Sequence, residues 1–385
     1  MPVEAIASAT GTTTMEITVG KSELLRELTA TQGVVERKTT IPILSNYLFE
    51  AAGEKLSITA TDLDLSLRTS CNAKVKKEGS CTIPARKLHD YVKLLPDAEV
   101  TIKLLENHYV SIRCGRSNTK MVGMARSNFP GLPAFPTAGV VNIPAQVLRS
   151  MIAKTGFAIA SEESRYTLNG ALMVLKPESI TMVATDGHRL AHIERSGEKF
   201  DGVSGEMKTL VPKKAMDELK SLLDSTDADT IEFAKDESTL FFRIGQRLLT
   251  SRQLTGQFPN YEAVLPKDNS KSINLHSDEL SAAISRVAQF ADERSRAVRL
   301  KLEKGELKLS ASSSETGESE DTIEIDYNGD PLTIGFNAQY VLEFLKAAGA
   351  GDVKLELKDA QSAGQLRPAD GEDYKYRYIV MPMRI

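Results

Sequence analysis

The segment Leu56-Ser-Ile-Thr-Ala-Thr-Asp62 returns as Ile180-Thr-Met-Val-Ala-Thr-Asp186 and, in looser form, as Leu307-Lys-Leu-Ser-Ala-Ser-Ser313. The alanines of the three copies lie 124 and 127 residues apart. Two further markers keep step with them. Ile83-Pro84, Val211-Pro212 and Ile334-Gly335 each open a helical pattern, and Phe129-Pro130, Phe258-Pro259 and Met381-Pro382 each close a unit. Repeats of roughly 20–50 residues build solenoids, whereas a period near 125 is a whole domain. The 385-residue chain therefore reads as one domain in triplicate, over residues 15–138, 139–266 and 267–385, behind an extension at 1–14 that reads as disordered.

Composition agrees with a soluble globular protein: 41% hydrophobic and 26% charged residues, both ordinary values. No apolar run approaches the roughly 18 residues that a membrane span needs. The leader Met1 to Thr14 has no basic residue and no continuous apolar stretch, so it does not read as a secretory signal. Cys71, Cys81 and Cys114 share one repeat without CxxC spacing. That usage points to free thiols in a reducing cytoplasm rather than to disulfides or zinc. The formal charge of −4 argues weakly against nucleic acid when taken alone.

Each copy follows one script: a short strand, an amphipathic helix, alternating strands, a second helix, and further strands. The first helices carry Leu24, Leu25 and Leu28, then Val147, Leu148, Met151 and Ile152, then Leu280, Ala283, Ile284 and Val287, with Ser277 as the expected N-cap of the last. Arg26 and Glu27 lie between the leucines of the first. The second helices carry Leu88, Val92 and Leu95 up to Pro96, then Met216, Leu219, Leu222 and Leu223, then Tyr340, Val341, Phe344 and Leu345, with Gly349 as the expected C′ residue. Glu303-Lys-Gly-Glu306 reads as a hairpin turn, and Tyr374 to Ile385 as a final strand. The expected class is α+β, with two helices packed on antiparallel sheet in every repeat.

The helices are biased toward base in a way the net charge hides. Arg26, Arg37, Lys38, Arg86, Lys87, Lys93, Arg149, Lys154, Lys213, Lys214, Lys220, Arg286 and Lys346 lie on or beside their polar faces, while acid concentrates at Glu315 to Asp321 and Asp224 to Asp229. Outward helix faces are commonly charged; six equivalent helices all tilted to base suggest one cationic wall facing a polyanion. Tryptophan is absent and no aromatic ladder appears, which disfavours a single-strand stacking platform. No helix-turn-helix, zinc-finger or RNP pattern appears, so the implied contact is to phosphates and independent of base sequence. With no GxGxxG or GxxxxGK[ST], no nucleotide cofactor is expected.

The segments Lys38-Thr-Thr-Ile-Pro-Ile-Leu44, Ala184-Thr-Asp-Gly-His-Arg-Leu190, Phe258-Pro-Asn-Tyr261, Ile334-Gly-Phe-Asn337 and Tyr378-Ile-Val-Met-Pro-Met-Arg-Ile385 resemble the bacterial DNA sliding clamp family, the beta subunit of DNA polymerase III, in order from Met15 to Ile385. The resemblance implies the DNA clamp fold, as a head-to-tail homodimeric ring whose helices line a hole for duplex DNA. It implies a processivity factor that tethers the replicative polymerase, a non-catalytic accessory subunit without cofactor or metal, opened by a separate ATP-driven clamp loader. By the same resemblance, a pocket for partner peptides comprises Leu168, Thr185, Gly187, His188, Arg189, Leu190, Pro259, Val264, Asn337, Tyr340, Ile379, Met381, Pro382, Met383 and Arg384. Methionines suit a pocket that accepts varied apolar side chains, Arg189 and Arg384 would supply fixed donors, and Asn337 could pair both ways with an extended backbone.

The positions matching DNA contacts are Lys38, Arg86, Arg165, Tyr166, Lys213 and Lys214. Ala263 stands where well-known members carry arginine, Ile284 replaces an aromatic, Gln361 and Ala363 replace valine and serine, and Thr167 falls where some clamps have a second tyrosine. Two other readings are weighed beside the clamp. One is a peptide-binding scaffold of the same fold without DNA encirclement; the other is a hydrolase centred on Asp186 and His188, for which no nucleophile motif is present.

Overall fold

The computed structural model describes residues 14–36, 39–162, 166–197, 199–370 and 373–384; the expected disordered leader thus lies almost wholly outside the described residues. The first repeat runs β1 (Glu16–Gly20), α1 (Lys21–Thr31), β2 (Asn46–Ala52), β3 (Lys55–Thr61), β4 (Leu65–Asn72), β5 (Lys74–Lys77), β6 (Gly79–Pro84), α2 (Ala85–Leu94), β7 (Glu99–Leu104), β8 (Tyr109–Cys114) and β9 (Ser117–Val122). The second runs β10 (Val141–Pro144), α3 (Ala145–Thr155), β11 (Gly170–Lys176), β12 (Ser179–Thr185), β13 (Arg189–Ser196), β14 (Met207–Pro212), α4 (Lys213–Asp224), β15 (Thr230–Lys235), β16 (Thr239–Ile244) and β17 (Arg247–Arg252). The third runs β18 (Lys271–His276), α5 (Ser277–Val287), β19 (Ala297–Glu303), β20 (Glu306–Ser313), β21 (Gly317–Glu324), β22 (Leu332–Asn337), α6 (Ala338–Ala348), β23 (Asp352–Leu357), β24 (Gly364–Pro368) and β25 (Tyr374–Val380).

The repeated Ala-Thr-Asp marks a turn built twice from the same four hydrogen bonds. In the first copy Thr61 Oγ1 donates to Leu65 O at 2.9 Å and accepts from Leu63 N at 3.0 Å, while Asp62 Oδ1 accepts from Asp64 N and Leu65 N at 2.9 and 2.6 Å. In the second, Thr185 Oγ1 donates to Arg189 O at 2.5 Å and accepts from Gly187 N at 3.0 Å, and Asp186 Oδ1 accepts from His188 N and Arg189 N at 2.9 and 3.1 Å. The third residue of the turn must take a left-handed backbone, φ 84° at Leu63 and 89° at Gly187. Glycine does so freely and leucine under strain. Threonine and aspartate recur because they fold the chain back after β3 and β12.

Glu27, set between the leucines of α1, is only 3% exposed. Helix placement follows the apolar spacing, with two corrections. Ser277 is the first residue of α5 and caps nothing with its side chain; His276 precedes the helix, because β18 runs straight into it and Ser277 N bonds Gly351 O at 2.9 Å. Gly349 is itself the closing residue of α6, at φ 86°. The final strand also stops at Val380, short of the expected Ile385.

The sheets do not respect the repeat borders. The chain divides into two compact units, Met1–Val140 with Ser221–Arg252 and Val141–Lys220 with Gln253–Ile385, so the division falls inside α4 and splits the second repeat. In the first unit, β17 of the second repeat pairs antiparallel with β4 of the first, Leu249 opposite Leu67, which continues one sheet in the order β15-β16-β17-β4-β3-β2-β6. In the second unit, β25 of the third repeat pairs with β13 of the second, Leu190 opposite Ile379, within an eight-stranded sheet ordered β14-β11-β12-β13-β25-β24-β23-β18. A five-stranded sheet, β5-β1-β7-β8-β9, and a four-stranded one, β21-β20-β19-β22, complete the two units. Thus β9 and β21, the equivalents of the strands paired at both junctions, end their sheets as free edges.

Each junction also has a side-chain clasp. Glu27 on α1 accepts from Arg247 Nε and Nη2 at 3.0 and 3.3 Å, Thr69 Oγ1 at 2.5 Å and Arg26 Nε at 2.7 Å. At the other junction Tyr376 Oη donates to Lys154 O at 2.8 Å, and Lys154 Nζ stands over the Tyr374 and Tyr376 rings at 4.8 and 5.2 Å. Burial pushes the Glu27 pKa up, but hydrogen bonds from Arg247, Thr69 and Arg26 outweigh it and hold the carboxyl below its ordinary 4.5.

Removing one partner of a buried pair strands the other charge, at about 3–5 kcal/mol. E27A should lose stability of that order in denaturant unfolding, with E27M/R247M recovering much of it; equal losses in the single and double variants would disprove the clasp. Because the folded pKa lies below the unfolded one, the carboxylate's contribution is full above the unfolded value and disappears as pH falls through the folded one.

Candidate functional site

The residues expected to receive partner peptides gather where β13 meets β25. Leu190 and Ile379, opposite each other in the ladder, belong to a buried cluster with Leu172, Val174, Val183, Leu210 and Phe258. They form a floor beneath the cleft rather than its lining. Leu168, Tyr261 and Leu265 pack half-buried on that floor. Leu172 and Leu210 escaped the sequence reading: their strands β11 and β14 are apolar enough to pass for ordinary core. The turn after β12 sets Gly187 and His188 at the surface, with Thr185 buried below. Pro259 and Arg384 are exposed, Tyr340, Pro382 and Met383 are half-buried, and Val264 and Met381 are each 43% exposed.

Two backbone bonds pin the chain's end across this floor. Met381 N donates to His188 O at 2.9 Å, and Met383 N donates to Gly335 O at 2.8 Å in an isolated bridge beside the start of α6. The tail thus lies between the turn of the second repeat and the helix of the third. That is why positions so far apart in sequence line one cleft.

Two residues expected to pair with a peptide are engaged elsewhere. Arg189 is 9% exposed. Its Nε donates to Asp186 Oδ2 at 3.0 Å, its Nη2 to Phe157 O at 2.6 Å, and its Nη1 meets the Glu343 carboxylate. The guanidinium lies 4.3 Å from the centroid of the Tyr340 ring. Arg189 therefore holds Tyr340 and the turn in place instead of offering free donors to a peptide. The Asn337 Oδ1 accepts from Gln339 N at 2.9 Å and caps α6, so its oxygen is not free to pair with an extended backbone. The same contacts count against the hydrolase reading. Both Asp186 oxygens are occupied by backbone N–H groups and Arg189, and no cluster of metal-ligating side chains occurs among the described residues.

Of the positions matched to DNA contacts, Lys38 and Arg165 lie outside the described residues. Arg86 stands in the first turn of α2 with its side chain 85% exposed, 3.9 Å from Asp90. Lys213 and Lys214 open α4, Lys214 exposed and Lys213 half-buried 3.9 Å from Asp217, and Tyr166 is exposed. Two other helix cations are engaged: Arg286 Nε donates to Asp321 Oδ2 at 2.6 Å, and Lys154 turns into the β25 clasp. On α4, Glu218 is 8% exposed, and burial pushes its pKa up to about 7. His192, on the strand beneath the cleft's linker wall, is buried against Tyr261 at 5.6 Å between ring centroids, and burial lowers its pKa to about 4.

Comparison with known proteins converges on one family. Residues 15–133, 142–260 and 262–384 match the N-terminal, central and C-terminal domains of the DNA polymerase III beta subunit. The beta sliding clamp of Caulobacter vibrioides is 35% identical over 378 residues, 96% of this chain and 100% of the relative, and that of Pseudomonas putida 36% identical over 375 residues with the same coverage. Among solved structures, the Pseudomonas aeruginosa clamp bound to griselimycin superposes with a TM-score of 0.90 at 34% identity, covering 96% of this chain and all of the other. The Bartonella birtlesii clamp, also bound to griselimycin, gives 0.91 at 32% identity, covering 97% of this chain and all of the other. With all three repeats matched and the cleft formed at a repeat junction, the chain belongs to the DNA polymerase III beta subunit family, the bacterial beta sliding clamps.

Proposed function

We propose that this processivity clamp works as a ring of two copies closed head to tail around duplex DNA, holding the replicative polymerase, the clamp loader and other partners by short peptides. The observation that carries the reading is the pair of unpaired edges. Every internal junction joins the last strand of one repeat to the fourth or equivalent strand of the repeat before it, and a single chain leaves β9 and β21 over. A second copy supplies the missing partner for both strands, so two chains of three repeats close with β9 and β21 paired as β17 and β25 pair with β4 and β13. Charge favours the match. The β21 edge carries Glu318, Glu320 and Glu324, and β9 with its neighbours carries Arg113, Arg116 and Lys120, all exposed.

Inside such a ring, Arg86, Tyr166, Lys213 and Lys214, with Lys38 and Arg165, would touch phosphates only. Phosphate contact positions a duplex without reading it and leaves the protein free to slide. Retention then comes from topology. The protein acts by holding, as a non-catalytic accessory subunit of the polymerase. The buried free thiols suit a cytoplasmic setting. The cleft over Leu190 and Ile379 takes the apolar side chains of partner peptides against Val264, Pro259, Tyr340, Met381 and Met383, and it is where griselimycin is expected to sit.

Three outcomes test the reading. Charge reversal at Glu318, Glu320 and Glu324 to lysine should shift the protein from dimer to monomer in analytical ultracentrifugation, and reversal of Arg113, Arg116 and Lys120 to glutamate should restore pairing when the two variants are mixed; an unchanged dimer in the first variant rules out this edge. Truncation after Val380 should raise the griselimycin Kd at least about a hundredfold, roughly 2.7 kcal/mol, while the dimer persists. K213E/K214E should lose retention on circular DNA after loading and keep griselimycin affinity, whereas equal retention on linear and circular DNA would replace encirclement by ordinary binding.

A further inference from the structure

The chain's sulfur atoms are distributed unevenly. Cys71, Cys81 and Cys114 are free and buried. Burial holds the thiols of Cys71 and Cys81 up at about 12, so neither offers a thiolate to an oxidant. Of the methionines among the described residues, six are buried and Met124, Met207 and Met383 are half-buried. Met381 alone is exposed, at 43%. The one openly reachable sulfur among the described residues therefore sits at the mouth of the partner cleft, on a backbone fixed by the bond from its N–H to His188 O at 2.9 Å.

We propose that Met381 is an oxidation-sensitive modification site: hydrogen peroxide or an organic hydroperoxide converts its thioether to the sulfoxide before other described sulfurs react, and the modified cleft releases its partners until the sulfoxide is reduced. The inference rests on the cleft reading above. A sulfur lone pair attacks the terminal peroxide oxygen, the S–O bond forms as the O–O bond breaks, and the departing hydroxide, or the alkoxide of an organic hydroperoxide, takes the proton of the new S–OH group and leaves as water or the alcohol. Sulfur gives up two electrons and the peroxide accepts them. A thiol-dependent sulfoxide reductase runs the reverse, removing the oxygen as water while two thiols become a disulfide.

The consequence for binding follows from what the side chain does there. A thioether is soft and apolar and adapts to different peptide side chains. A sulfoxide places a strongly polar oxygen in the same wall, and a partner that covers it strips away its water without supplying a donor. With the backbone pinned on both sides, the residue cannot withdraw. Binding should weaken by about tenfold or more.

The test uses the full chain and griselimycin as probe. Protein is treated with hydrogen peroxide, the excess removed with catalase, sulfoxides mapped by peptide mass spectrometry, and affinity measured by calorimetry before and after treatment with methionine sulfoxide reductases A and B. Oxidation at Met381 first, a Kd raised about tenfold or more and recovery on reduction are expected. M381L, whatever affinity it begins with, should keep that affinity through peroxide treatment. Complete oxidation of Met381 with unchanged Kd would overturn the inference, as would earlier oxidation of another methionine. Failure of untreated protein to bind griselimycin would instead overturn the cleft reading on which the inference stands.

Discussion

Backbone pairing across repeat borders is the constraint on which the rest depends. A strand at the edge of a sheet exposes a row of N–H and C=O groups that must find partners. Here the last strand of one repeat satisfies the fourth strand of the repeat before it, β17 on β4 and β25 on β13. The three copies are therefore not beads on a string, and the two compact units cut through the second repeat instead of between repeats. The clasps reinforce different junctions by different chemistry, a buried ion pair at one and a lysine over two tyrosine rings at the other. Divergence after triplication changed the side chains and left the backbone pairing in place.

The cleft is a product of one such junction. Pairing of β13 with β25 delivers the chain's end to the turn after β12, and the linker over Phe258 and Tyr261 closes the side. The first junction has the same turn, but with Leu63 and Asp64 where the second has Gly187 and His188. Its Leu65 stands where Arg189 organises Tyr340 and Glu343 at the second junction. A common backbone thus carries a glycine turn and a buried arginine at one junction and leucines at the other through substitutions at a few positions.

Much of this was legible in the sequence because local chemistry and global fold agree. Thr61, Asp62, Thr185 and Asp186 recur because each bonds its own turn, and the leucine and valine spacing of the six helices follows directly from the faces they bury. What escaped depended on groups far apart in the chain. Glu27 looks like any outward helix acid until Arg247, contributed by the next repeat, is placed beside it. Arg189 looks like a ligand donor until Asp186, Phe157 and Glu343 are seen to consume it. The crossing of strands between repeats has no sequence signature, since an edge strand and a paired strand alternate alike.

Glu218 extends this to the helix that carries Lys213 and Lys214. Its buried carboxyl sits near half-protonation at neutral pH, so its folded form binds a proton more readily than an unfolded chain would. Stability from that proton is complete below the ordinary carboxyl value of 4.5 and is lost as pH rises through the folded value of about 7. A rise in pH toward neutrality thus places charge on a carboxyl buried within α4 and works against the packing of the helix that Lys213 and Lys214 open.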